Sequence, residues 1–253
     1  MKFLVGLFII PVIIGMPTKS LNVQLSEDIV KIAVLDTGFG YKQKNFNIKL
    51  CSMGHRDFTS DQRFMTDDDS NISVPRDEHG HGTNVAGLID FYAKKSDTSY
   101  CIVIIKILNG DTNLSINLSI SEKAIKYVLD EGFDVINYSA GGPDSSPIEK
   151  KLIKNFLDKG GIFVAAAGNE GIDIGPKYLY YPAMYDKRIV VVGSISESGS
   201  ISKYSNRGNP VNAWERGDNR EILGIKFSGT SQATAIVTGK IVGLMKYRYK
   251  NID

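Results

Sequence analysis

The sequence holds three histidines, His55, His79 and His81, so chemistry that needs an imidazole base has few places to look. His81 stands behind a glycine and opens "HGTNVAGLIDFYAKK" (81–95), a run that reads as a helix. A ring at such a helix start can turn back toward the ends of neighbouring strands. Ser231 lies in "FSGTSQATAIVTG" (227–239), after Gly229-Thr230 and before an apolar run that reads as a buried helix. A serine nucleophile needs a histidine to take its proton, and that imidazole needs an acid on its other nitrogen to fix the tautomer and support the charge that forms. Asp36, in the strand-like run "IVKIAVLDTG" (29–38), can supply the acid. The oxyanion that develops needs donors, and the backbone N–H of Ser231 and the side-chain amide of Asn169 in "GNEG" suit that task. Taken singly, these residues have ordinary readings as strand-end turn former, helix-start histidine, helix cap and turn asparagine. Asp77, His79 and His81 could instead converge on a metal ion, but a glycine separates the two histidines and no third is near. No metal or cofactor is expected.

The elements that must position these side chains alternate along the chain. The run 29–38 is nearly continuous in apolar residues, as a strand buried on both faces requires, and "YCIVIIKIL" (100–108) repeats the pattern. Ser119 and Glu122 fit a capping box ahead of apolar residues at helical spacing, with Gly132 as a stop and the strand "DVINYS" from 134. Ser146, Pro147 and Glu149 repeat the start signal, Gly160 ends that helix, and "GIFVAAAG" (161–168) follows as a strand. "RIVVVGSI" (188–195) is a further strand. Residues 52–80 are polar and broken and read as a loop region, with "DDD" at 67–69 as a solvated turn. Strands alternating with helices predict an α/β fold of three layers, a mostly parallel sheet with helices on both faces. In such a sheet ligands bind outside the carboxyl ends of the strands, where Asp36, Ser139 to Gly142 and Asn169 fall.

Composition narrows the class. At 253 residues with 42% hydrophobic and 23% charged side chains, the chain suits one globular domain. A net charge of +2 leaves no basic stripe for nucleic acid, and the glycine-rich "SAGG" and "GNEG" lack the lysine of a nucleotide-phosphate loop. The apolar stretch 3–15 behind Lys2 has the form of a signal peptide (1–19), leaving 20–253 as the domain, although no good small-residue cleavage site follows. Secretion or a periplasmic location is the expectation, with a membrane anchor as the alternative. Export would permit a Cys51–Cys101 bond; two free buried thiols are the other reading.

In chain order, "AVLDTG" (33–38), "HGTNVAG" (81–87), "INYSAGG" (136–142), "VAAAGNEG" (164–171) and "FSGTSQATAIVTG" (227–239) resemble the signature blocks of the subtilisin-like serine proteases, over about residues 29 to 247. The order acid, histidine, serine is also that family's. The resemblance implies a subtilisin-like fold and a serine endopeptidase, with Asp36 orienting, His81 as base and then acid, Ser231 as nucleophile and Asn169 in the oxyanion hole. It implies that Ser139, Ala140 and Gly141 pair with an extended substrate on one side of the primary specificity pocket. By the same resemblance, Ala165, Ala166 and Gly168 would form the other wall, with Glu170 near the pocket's base. It makes neighbours of the strands carrying Cys51 and Cys101, which favours the disulfide. Partners would be protein or peptide substrates of a monomeric enzyme. Without substrate, the expected Ser231 Oγ to His81 Nε2 distance is roughly 2.6–3.2 Å or looser.

The departures from the family pattern are specific. Residues 88–100 are too short for the loop that wraps calcium in many relatives. Gln232, Thr234 and Ala235 replace a usual methionine, serine and proline; "NAWERGDN" (212–219) stands in place of the family's usual Ala-Pro-Gly neighbourhood and the segment 195–227 is compressed, so the far rim of the site is expected to depart from the family pattern. No pro-domain is recognisable and the chain is short after the serine helix, so unaided folding or a helper or inhibitor in trans is expected. The competing function is a protease-like scaffold that binds peptides without turnover.

Overall fold

The computed structural model describes residues 29–40, 47–59, 64–66, 73–109 and 117–245. The apolar segment 1–19, expected as a signal peptide, and the acidic run 67–69 lie outside them. In chain order the elements are β1 (Val30–Asp36), β2 (Arg56–Asp57), β3 (Phe64–Thr66), β4 (Ser73–Pro75), α1 (His81–Ala93), β5 (Tyr100–Lys106), α2 (Leu118–Asp130), β6 (Val135–Tyr138), α3 (Pro147–Asp158), β7 (Ile162–Ala166), β8 (Val190–Ile195), β9 (Ala213–Arg216), β10 (Arg220–Ile222), β11 (Ile225–Phe227) and α4 (Thr230–Leu244).

Seven of these strands form one sheet in the order β2-β5-β1-β6-β7-β8-β9, and every pairing in it is parallel. The expected α/β architecture is present. β1 sits between β5 and β6, with Asp36 beside Lys106 and Leu35 beside Tyr138. Strand order therefore reverses at β1, and a crevice opens beyond its carboxyl end. Ile32, Ala33, Val34 and Leu35 are all buried, which explains an apolar run without alternation.

One face of the sheet is covered by α1 and α4, whose Val85, Leu88, Ile89, Ala233 and Ile236 share a core with Ile32, Val34 and Ile104. The other face is covered by α2 and α3, through Ile125, Val128, Ile153 and Phe156 against Leu35, Ile136 and Phe163. At roughly 25 cal/mol per Å² of apolar surface, residues buried this completely supply most of the drive to form the three layers.

Ser146 caps α3 as expected, its hydroxyl accepting from the N–H groups of Ile148 and Glu149, with Pro147 in the first turn. Glu149 does not reach back to the cap. Its carboxylate is buried and accepts from Ser121 Oγ at 2.5 Å. The capping box at Ser119 is corrected: Asn117 caps α2 by accepting from Ser119 N, so the helix starts ahead of Ser119. Among the described residues, the region 52–80 contains three short strands, and 195–227 contains three more, of which β10 and β11 form a hairpin. Their brevity and polar sequence leave no periodic signal to read.

Cys51 and Cys101 are joined in a disulfide. Cys51 lies in the chain leading to β2, and its N–H donates to Ile102 O, next to Cys101 on β5. Among the described residues there is no free cysteine.

Candidate active site

Asp36 is the last residue of β1, His81 the first of α1 and Ser231 the second of α4. All three are nearly buried, at 1%, 5% and 5% exposure. His81 Nδ1 donates to Asp36 Oδ1 at 2.8 Å, which leaves Nε2 as the basic nitrogen of the neutral ring. Burial opposes a charge on this imidazole, but the carboxylate of Asp36, its hydrogen bond and the field of Asp77 prevail, so His81 titrates above its ordinary 6.5. The close approach needs Gly82: a Cβ there would lie 2.4 Å from Gly38 O and 3.1 Å from Asp36 Oδ1.

Asp77 builds the loop that presents the histidine. Its Oδ1 accepts from Thr37 Oγ1 and from the N–H groups of His79 and Gly80, and its Oδ2 accepts from Thr83 N and Thr83 Oγ1. Thr37 Oγ1 in turn accepts from Gly82 N. One buried carboxylate thus ties the end of β1 to the first turn of α1. Sequence reasoning weighed Asp77 only as a metal ligand; its oxygens are engaged by these donors. Among the described residues no group of three or more His, Cys, Asp or Glu could hold a metal ion.

The other histidines do different work. His55 accepts from Ile104 N through Nδ1, so its Nε2 carries the proton that bonds Cys51 O at 2.9 Å. Burial lowers its pKa, and it is a neutral structural residue. His79 stacks on Phe227 at 5.6 Å, and the same ring receives His81 edge-on at 5.5 Å.

Gln232 Nε2 donates to Asn84 Oδ1 at 3.2 Å, so the first turns of α4 and α1 adjoin. Asn84 Nδ2 in turn holds the hairpin through Arg220 O and Ile225 O. In this arrangement the Ser231 hydroxyl donates to Ser139 O at 3.2 Å, and among the described residues no hydrogen bond joins it to His81. Asn169 is fixed by its carbonyl oxygen, which accepts from Thr230 N at 2.8 Å and Thr230 Oγ1 at 3.1 Å. Thr230 Oγ1 also accepts from Gly168 N. Neither Asn169 Nδ2 nor Ser231 N makes a hydrogen bond among the described residues, so both N–H donors are unpaired there, with Asn169 held on Thr230, the residue before the serine.

The subtilase family model matches residues 27–253 of this sequence. The chain belongs to the subtilase family. It is 32% identical over 243 residues to the major intracellular serine protease of Bacillus subtilis (strain 168), covering 88% of this chain and 70% of that protein. It is 31% identical over 223 residues to the intracellular serine protease of Paenibacillus polymyxa, covering 84% of this chain but 65% of the relative's length. Among solved structures, a cold-adapted subtilisin-like serine proteinase superposes with a TM-score of 0.68 at 27% identity, over 88% of this chain and 78% of that one.

In this subtilase the residues expected to line the substrate cleft fall into three sets. Ser139, Ala140 and Gly141 follow the carboxyl end of β6 directly. Ala165 and Ala166 are buried inside β7, pairing with Tyr138 and Val192, so their side chains belong to the core. Gly168 and Glu170 come after that strand, and Glu170 Oε2 accepts from Asn206 Nδ2 at 2.5 Å.

Proposed function

We propose that this subtilase is a serine endopeptidase with Ser231 as nucleophile, His81 as general base and acid, and Asp36 as the orienting carboxylate. The observation that carries the reading is the buried 2.8 Å contact of His81 Nδ1 with Asp36 Oδ1, beside a helix whose second residue is Ser231. Proteins and peptides are its substrates.

The step follows from the groups present. The Ser231 hydroxyl rotates from Ser139 O to His81 Nε2, gives up its proton there, and Oγ bonds to the scissile carbonyl carbon. The carbonyl oxygen takes the negative charge and accepts from Ser231 N–H and Asn169 Nδ2. Collapse breaks the C–N bond, and the imidazolium returns its proton to the leaving amine. Water then gives its proton to His81 and hydrolyses the acyl-enzyme, restoring the Ser231 hydroxyl. The backbone of 139–141 pairs with the extended substrate, which secures register without reading much of its sequence.

Export to an oxidising compartment accompanies this reading. The apolar stretch 3–15 and the Cys51–Cys101 bond support it, although the two bacterial relatives bear names that place them inside the cell.

The test is digestion of an unfolded, alkylated protein, with products identified by mass. Internal cleavage by the folded chain that disappears in Ser231→Ala is the expected result. Equal cleavage by Ser231→Ala, or none by a folded wild type, would reduce the protein to a peptide-binding scaffold.

A further inference from the structure

Tyr180 occupies the space between the two segments that flank the substrate cleft. A Cβ added to Gly141 would lie 2.4 Å from Tyr180 Cε1 and 2.8 Å from its hydroxyl oxygen. One added to Gly168 would lie 2.5 Å from Tyr180 Cζ and 2.5 Å from Glu170 Oε2. The phenol end of one ring therefore rests against the bare backbone of both segments, and Tyr180 is only 6% exposed.

The ring is held there from its own backbone. Tyr181 N donates to Gly142 O at 2.7 Å and Gly142 N donates to Tyr181 O at 3.0 Å, while Met184 N donates to Tyr180 O at 3.1 Å. On the Gly168 side, Asn206 Nδ2 bonds both Ala167 O and Glu170 Oε2, and its Oδ1 accepts from the N–H groups of Glu170 and Ile172. The carboxylate is thus tethered at the same place as the ring. A large side chain entering between 139–141 and 166–168 would have to displace a packed aromatic whose surroundings are hydrogen-bonded.

We propose that Tyr180 fills the primary specificity pocket, so that this protease cleaves after residues with small side chains, glycine, alanine or serine. The inference rests on the endopeptidase reading and adds the substrate class to it. Tyr180 acts by volume: it removes the apolar depth in which a large residue before the scissile bond would be buried.

The experiment compares kcat/KM of the purified full chain on three fluorogenic peptides that differ only in the residue before the cut, alanine, phenylalanine or lysine. The expected preference for alanine is roughly 10-fold or more over each of the others. Tyr180→Gly should shift the phenylalanine-to-alanine ratio upward by at least roughly 10-fold, and Tyr180→Phe, which keeps the ring, should leave it within about twofold. Phenylalanine or lysine cleaved as well as alanine by the wild type overturns the inference, whether or not Tyr180→Gly folds. So does a Tyr180→Phe variant that gains the large substrate. Ser231-dependent digestion of the unfolded protein is measured alongside. If it occurs while the preference is absent, the inference alone fails; if it does not occur, the endopeptidase reading fails and takes the inference with it.

Discussion

The two helical layers start their helices differently. α2 and α3 open on Asn117 and Ser146, whose side chains accept from the first N–H groups of their helices. α1 and α4 open on Gly80 and Gly229, which have no side chain to do so. For α1 the missing cap is replaced from other elements, by Thr37 Oγ1 on Gly82 N and Asp77 Oδ2 on Thr83 N. For α4 the replacement stops at Thr230, where Asn169 Oδ1 takes the N–H, and Ser231 N is left over. The ends of α2 and α3 thus meet first-turn donors with their own cap residues. The two ends proposed to carry the chemistry are tied to loops that follow other strands, through Thr37, Asp77 and Asn169, and in the proposed mechanism Ser231 N is the donor kept for a developing negative charge.

Burial separates the layers in the same sense. α1 is buried from His81 through Asp90 on every side, whereas α2 buries only Ser121, Ala124, Ile125 and Val128 and shows water its other face. His81, the proposed base, is consequently held by packing around a fully buried helix start.

Substitutions that break the contrast should scale with it. Asp36→Asn removes the acceptor that sets the His81 tautomer, and kcat should fall by roughly 10⁴-fold while folding is retained. Asn169→Ala removes one free donor at the start of α4 and should lower kcat by about 10²–10³-fold with little change in KM. Ser146→Ala, at the corresponding place on α3, should leave kcat and KM unchanged and cost about 1 kcal/mol in urea unfolding.

The pH profile sharpens the same comparison. His81 must be neutral to accept the serine proton, so kcat/KM should rise with pH through a midpoint above 6.5. The Asp36→Asn variant should move that midpoint downward, because Asp36 is the leading group that raises it. Stability carries the opposite sign. A folded pKa above the unfolded value means that the His81 contribution is fully present below pH about 6.5 and is lost as pH rises through the folded value. The activity should therefore appear in the range where that contribution is being given up, which paired kinetic and urea-melting series would show.

The sheet and the α1 start could be read in the sequence because they rest on long apolar runs and on glycines flanking His81. Residues whose roles depend on distant partners could not. Asp77 acts by joining Thr37 to Thr83, and Tyr180 by lying against both Gly141 and Gly168, and neither relation leaves a local pattern. The β10–β11 hairpin turns at Leu223, a non-glycine residue with φ 54°, so its turn carries no asparagine or glycine at the first position to announce it. Asn117 caps α2 without a distinctive signal, because Ser119 and Glu122 imitate a capping box two residues later.

The central claim is that His81 activates Ser231, and intact mass after exposure to a fluorophosphonate tests it most directly, on the folded wild type and on His81→Ala. The account predicts one adduct per chain, located on Ser231, forming at least roughly 10³-fold faster in the wild type than in the variant. No adduct on the folded wild type, or equal rates in the two proteins, would contradict it.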